Sequence, residues 1–237
     1  MKVPRAICFD AGNTLIDATT APVEAYHRSA IKLGAESHSS EQLWSVMGPK
    51  MRQLFEERAQ LAGPSSDAIE RQFWTELLEH IIEHFKPCHN LSLAAWLSDL
   101  VDWFGSSKAW QPYKDTLPTL ETLKNKGTRL ALISNWDSSL ENILNELQLS
   151  KYFEVIHISA QIGWRKPSPK IFEETLKALQ LQPEEVCHVG DNIADDIYGA
   201  QNCGIEALFL DRWNYGEHVP ATRIKTLSEI ITIYDYS

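Results

Sequence analysis

AICFDAGNTL, residues Ala6 to Leu15, is the stretch from which the rest of the chain can be read. Ala6 to Phe9 is an apolar run of the kind that forms a strand buried on both faces, and it delivers Asp10 to its carboxyl end. Ala11, Gly12, Asn13 and Thr14 follow, small residues suited to a turn that exposes backbone N–H groups. Open α/β sheets place their ligands at that edge, so Asp10 is the first candidate for chemistry.

Outward from this stretch the pattern changes twice. From Asp17 to about Ser107 the apolar residues recur at three- and four-residue spacing, as in VEAYHRSAIKLG, SEQLWSVMGPKMRQLFEERAQLAG and SDAIERQFWTELLEHIIEHF, with a further helix from Leu91 to Phe104. Gly34, Gly63-Pro64 and Lys86-Pro87 break these helices, and Ser65-Ser66-Asp67 offers an N-cap. From Pro112 onward helix and strand alternate. LPTLETLKNKG, SSLENILNELQL, SPKIFEETLKALQL and ADDIYGAQNCG read as helices, RLALISN, FEVIHIS, EVCHVGD and IEALFLD as strands, and a closing helix is expected over Leu227 to Tyr234. Strands separated by helices of that length imply right-handed crossovers and a parallel sheet. The expected architecture is therefore α/β: a doubly wound, Rossmann-like core from residues 1–16 and 109–237, with a helical cap, residues 17–108, inserted directly after the first strand.

The bulk properties agree with a globular enzyme-sized chain. Its 237 residues allow a core with an inserted smaller domain, and 43% hydrophobic with 23% charged residues is ordinary for a folded protein. A net charge of −10 argues against nucleic-acid or anionic-membrane partners, while leaving room for a small phosphorylated substrate at a local positive site. Cys8, Cys88, Cys187 and Cys203 lie far apart and read as buried hydrophobes rather than disulfides or zinc ligands. With no long apolar segment, a cytoplasmic location is the expectation.

Several strand ends finish on polar residues at the edge where the loops converge. The first gives Asp10, the second Ser134 and Asn135, and a later one Asp191 and Asn192 with Asp195 and Asp196 close behind. Between them lies Arg165-Lys166-Pro167, ahead of a helix with Ser168 as its expected N-cap. Carboxylates clustered without Cys or His favour a hard cation such as Mg²⁺. Lys166, the Ser134 hydroxyl and the backbone N–H groups after Asp10, at Gly12 and Asn13, are placed to hold phosphoryl oxygens.

With these four segments in order, the chain resembles a haloacid dehalogenase-like superfamily hydrolase with a helical cap of the first type. FDAGNTL matches the first motif at Asp10, Thr14 and Leu15, LISN the second at Ser134, RKPSPKIF the third at Lys166, and HVGDNIADDIYGA the fourth at Asp191 and a following acid. The resemblance implies a nucleophilic Asp10 that forms a covalent aspartyl intermediate. It also implies Mg²⁺ held by Asp10, the Gly12 carbonyl, Asp191 and a further acid, for which Asp196 fits the spacing before Gly199-Ala200 and Asp195 is the alternative.

One position departs from the pattern. Phosphatases of that family carry a second Asp two residues after the nucleophile, which protonates the leaving oxygen; here the position is Gly12. As substitute acids, Asp17 and Asp137 are the nearest in sequence to the segments of the expected site. Three functions follow as expectations: a Mg²⁺-dependent phosphatase of a small phosphorylated metabolite, a metal-independent 2-haloacid dehalogenase, or a weakly active or non-catalytic protein that binds a ligand or partner.

Overall fold

The computed structural model describes residues 3–60, 63–214 and 219–235. Strand β1 (Ala6–Phe9) is followed, after the Asp10 turn, by β2 (Ile16–Ala18). Helices α1 (Pro22–Lys32), α2 (Ser40–Gln60), α3 (Asp67–His84) and α4 (Leu93–Phe104) come next, and β3 (Trp110–Pro112) returns antiparallel to β2. The chain continues through α5 (Thr116–Asn125), β4 (Arg129–Ser134), α6 (Ser139–Glu146), β5 (Val155–Ile158), α7 (Ser159–Ile162), α8 (Pro169–Leu179) and β6 (Val186–Gly190). A π-helical turn (Ile193–Tyr198) runs into α9 (Gly199–Asn202), and β7 (Glu206–Leu210), β8 (Thr222–Ile224) and α10 (Glu229–Ile233) close the fold.

Six parallel strands form one sheet in the order β5-β4-β1-β6-β7-β8. The fold is α/β and doubly wound. β1 lies at the centre because its residues have no polar face: Ile7 and Phe9 pack with Leu130, Leu132, Cys187 and Val189 on one side, Ala6 and Cys8 with Ala131, Ile133 and Val186 on the other. Helices cover both faces. α8, for example, turns Ile171, Phe172, Thr175 and Leu179 inward at helical spacing and starts with Pro169, whose fixed φ suits a first turn. The chain runs from β1 to β4 on one flank and to β6 on the other, so the order reverses beside β1, and the Asp10 turn lies at the switch point where such sheets leave a crevice.

α1 to α4 build a separate apolar centre from Tyr26, Leu43, Met47, Leu77, Ile81 and Trp96, among others. The short β2–β3 pair joins this layer to the sheet. β2 runs into the stretch expected to be helical and β3 lies at the start of the returning core, and neither is expected from the sequence, since three-residue strands are too short to show an alternation. β8 was likewise unread, and the closing helix is shorter than expected. Not every tryptophan is packed away: Trp96 is buried, whereas Trp44 lies on the surface of α2. Among the described residues, no helix is long and apolar enough to cross a membrane.

His157 of β5 shows how the packing constrains charge. Its Nδ1 lies 2.8 Å from Thr175 Oγ1, whose own proton goes to the Ile171 carbonyl, so Nδ1 is the donor and the neutral ring satisfies the pair. Burial depresses the His157 pKa below the usual value of about 6.5. The unfolded chain therefore binds this proton more readily, and stability is lost as the pH falls through about 6.5 towards the lower folded value. Replacing His157 with Gln should flatten that loss, seen as a smaller fall in urea midpoint between pH 7.5 and 5.5 than in the unsubstituted protein.

Candidate active site

The site is assembled from the carboxyl ends of β1, β4 and β6 and the loop before α8. At its centre is the Lys166 ammonium, buried, with three protons directed to three acceptors: Asp10 Oδ1 at 2.7 Å, Asp196 Oδ1 at 2.6 Å and the Ile133 carbonyl at 2.7 Å. Ser134 Oγ donates to the same Asp10 oxygen at 3.1 Å. Burial alone would lower the Lys166 pKa, but the charges of Asp10 and Asp196 hold it above the ordinary lysine value. The lysine is therefore a fixed positive charge.

Asp196 is the best-anchored acid. His188 Nε2 is 3.0 Å from its Oδ1, and the Asn192 N–H donates to Oδ2 at 3.0 Å. His188 is fully buried and its Nδ1 has no hydrogen-bond partner among the described residues, which places the proton on Nε2 as donor. Burial raises the Asp196 pKa, but Lys166 and the His188 hydrogen bond overcome it and keep the carboxyl well below the usual range. The local backbone explains this placement. Asn192 Oδ1 caps the N–H groups of Ala194 and Asp195, and the π-helical turn that follows carries Asp196 back under the strand end. Gly190 leaves room for it, because a methyl group there would sit 2.2 Å from the Asp196 carboxyl carbon.

Asp191 completes the group. Its Oδ1 accepts from Thr14 Oγ1 at 3.3 Å. Ligand oxygens of Asp10, Asp191 and Asp196 lie within 4.8 Å of one another. Burial, and then the charges of Asp10 and Asp196, push the Asp191 pKa well above the carboxylate range; Asp10 is raised by burial as well, with Lys166 opposing. Three oxygen-bearing acids with one lysine, held together at this cost, suit a hard divalent cation.

Other expected residues fall in different places. Asp195 is outside the three-acid group: its Oδ2 accepts from Asn135 Nδ2 at 3.1 Å and faces Arg165 at 3.9 Å, and burial pushes its pKa up to about 6. Asn135 grips the Lys166 backbone, accepting from its N–H at 2.7 Å and donating to its carbonyl at 3.0 Å. Gly12 and the exposed Asn13 form the turn after Asp10, with Asn13 at φ +57°, a conformation Asn tolerates. Asp137 accepts from the Ser139 N–H at 2.8 Å, and Asp17 from the Ala18 N–H at 2.9 Å.

Sequence reasoning missed Trp136, which stands against Gly12. A methyl group at Gly12 would come within 3.1 Å of the indole Cζ3, and the indole is itself braced edge-on by Trp110 at 4.7 Å. His188 and the clamp on Thr14 were also unread: Arg212 donates to the Thr14 carbonyl at 2.8 Å while bound to both oxygens of Asp115 at 3.0 and 3.1 Å.

The family model for haloacid dehalogenase-like hydrolases matches residues 7–210, a span that holds every group just described except the Arg212 clamp. The chain belongs to that family. Among relatives of this haloacid dehalogenase-like hydrolase, the human haloacid dehalogenase-like hydrolase domain-containing protein 3 is 29% identical over 210 residues, covering 87% of this chain and 81% of that protein. A phosphoglycolate phosphatase from Aquifex aeolicus is 29% identical over 235 residues, covering 98% of this chain and 97% of that protein. The crystal structure of a dehalogenase with an intermediate complex has the same fold, with a TM-score of 0.72 at 23% identity over 98% of both chains.

The Gly12–Trp136 contact makes a direct prediction. Gly12→Asp should lower stability by about 1–3 kcal/mol through overpacking. In a Trp136→Ala background the same substitution should cost less by about 1 kcal/mol or more, read from urea midpoints of the four proteins in a double-mutant cycle.

Proposed function

We propose that this haloacid dehalogenase-like hydrolase is a Mg²⁺-dependent phosphatase of a small phosphorylated metabolite, with Asp10 as nucleophile. The observation that carries the reading is Asp10, oriented by Lys166 and Ser134 and grouped with Asp191 and Asp196 so that their ligand oxygens lie within 4.8 Å of one another. The phosphatase names of relatives such as the Aquifex aeolicus protein support it.

In this reading Asp10 Oδ1 is held by Lys166 and Ser134, which leaves Oδ2 to attack phosphorus. Asp10, the Gly12 carbonyl, Asp191 and Asp196 hold the cation, with Asp196 doubling as the anchor of Lys166. When bound, Mg²⁺ supplies positive charge at the phosphoryl oxygens. Lys166 and the N–H groups of the Gly12–Asn13 turn stabilise the charge that develops on the same oxygens. Thr14 fixes Asp191, and Asn135 fixes the Lys166 backbone, so both are positioning residues. The helical layer over the crevice is suited to exclude water and select the substrate.

Phosphate release from a panel of small phosphate esters, measured with Mg²⁺ and with EDTA, tests this. Release should require the cation and return when it is restored. Asp10→Asn should lower it by about 10⁴-fold or more, and Lys166→Met by about 10²–10³-fold. Cation-independent halide release from chloroacetate, with no phosphate release, would instead favour a dehalogenase.

A further inference from the structure

We propose that the substrate is a phosphoryl donor whose leaving group departs as a stable anion, an aryl phosphate or an acyl phosphate rather than a simple alkyl ester. This deepens the phosphatase reading above and rests on it.

The reason lies in how the protons around Asp10 are committed. In an in-line displacement the leaving oxygen lies on the far side of phosphorus from Asp10, beyond the carboxyl edge of the sheet. An alkoxide leaves readily only if an acid in hydrogen-bond reach protonates it. Lys166 directs its three protons to Asp10, Asp196 and the Ile133 carbonyl, and Ser134 donates to Asp10. Asp196 accepts from Lys166, His188 and the Asn192 N–H, and Asp191 belongs to the cation-holding group. Asn135 carries no acidic proton, and its amide is occupied by Lys166 and Asp195.

The turn that follows the nucleophile supplies no acid either. Gly12 has no side chain, and the space one would need is taken by the Trp136 indole, 3.1 Å from the position of a β-carbon. Trp110 braces that indole from behind. Both indoles are half-buried, so the wall over Gly12 is flat, aromatic and without an ionisable group. Such a wall accepts the face of an aryl or other conjugated leaving group and gives an alkoxide nothing.

The steps balance without an added acid. An Asp10 carboxylate oxygen forms a bond to phosphorus as the bond from phosphorus to the leaving oxygen breaks, and that oxygen keeps the electron pair as a phenolate or carboxylate. Water then cleaves the aspartyl phosphate, regenerating the Asp10 carboxylate and releasing dihydrogen phosphate, which retains both protons of the water.

The test uses the whole protein with Mg²⁺ and compares kcat/KM for acetyl phosphate, 4-nitrophenyl phosphate, phenyl phosphate and glycerol phosphate. The expected result is a steep dependence on leaving-group basicity: glycerol phosphate falls below 4-nitrophenyl phosphate by about 10²–10⁴-fold or more, the scale of the missing acid catalysis. Turnover of glycerol phosphate within about tenfold of the nitrophenyl ester would overturn the proposal while leaving the phosphatase reading intact. No turnover of any of the four would overturn both.

Discussion

A buried ammonium between two carboxylates is the constraint on which the structure depends. Lys166 bridges Asp10 and Asp196 at 2.7 and 2.6 Å with all three groups out of solvent, an arrangement that is costly unless every charge is paired and hydrogen-bonded. The satisfaction is nearly complete: three acceptors for the lysine, three donors for Asp196, two for one oxygen of Asp10. The exception is the other Asp10 oxygen, the one atom of the trio left for chemistry. Counting Asp191, three carboxylates face one ammonium, so the fully ionised cluster carries two excess negative charges. The raised pKa values of Asp10 and Asp191 express the same imbalance, which a divalent cation would remove.

The backbone is shaped to make this pairing possible. β1, β4 and β6 are adjacent in the sheet, so Asp10, Ser134 and Asp191 arrive together at one edge. Lys166 comes from the far end of the β5–α7 segment, and its backbone is gripped from both sides by Asn135. His188 lies two residues before Gly190 in β6 and points from the strand into the Asp196 carboxylate; a leucine there would leave that buried oxygen short of a donor.

Much of this was legible in the sequence because its carriers are local. An apolar run ending in Asp marks a buried strand and its tip, and RKPSP marks a loop leading into a helix. The parallel sheet follows from alternation alone. What was not legible depends on contacts distant in the chain. The spacing before Gly199-Ala200 favours Asp196 over Asp195 without showing how it reaches Lys166; a π-helical turn and the absence of a side chain at Gly190 carry it there. Trp136 is two residues after Ser134, and nothing in the local sequence sets it apart. Its meaning appears only where the fold lays it over Gly12. The β2–β3 pair escaped for a different reason, since three residues are too few to carry a period.

The seam between the helical layer and the sheet has a different character from either core. The loop between α2 and α3 pairs Pro64 with Trp164 as an isolated bridge, and the Ser65 N–H donates to the Gly163 carbonyl at 3.0 Å. Ser65 Oγ lies 3.1 Å from Ser159 Oγ, and Asp67 accepts from the N–H and hydroxyl of Ser138 at 2.8 and 2.9 Å. These contacts land on the segment that leads to Lys166 and, through Ser138, two residues beyond Trp136. They are mostly hydrogen bonds, each of which water can replace at a net cost of only about 0.5–1.5 kcal/mol. The apolar residues are gathered instead in the cores on either side, so little of the burial energy lies across this seam. The loop that docks there is tied through the Ser65–Gly163 contact to the segment that leads to Lys166, so the helical layer and the buried ammonium share one stretch of backbone.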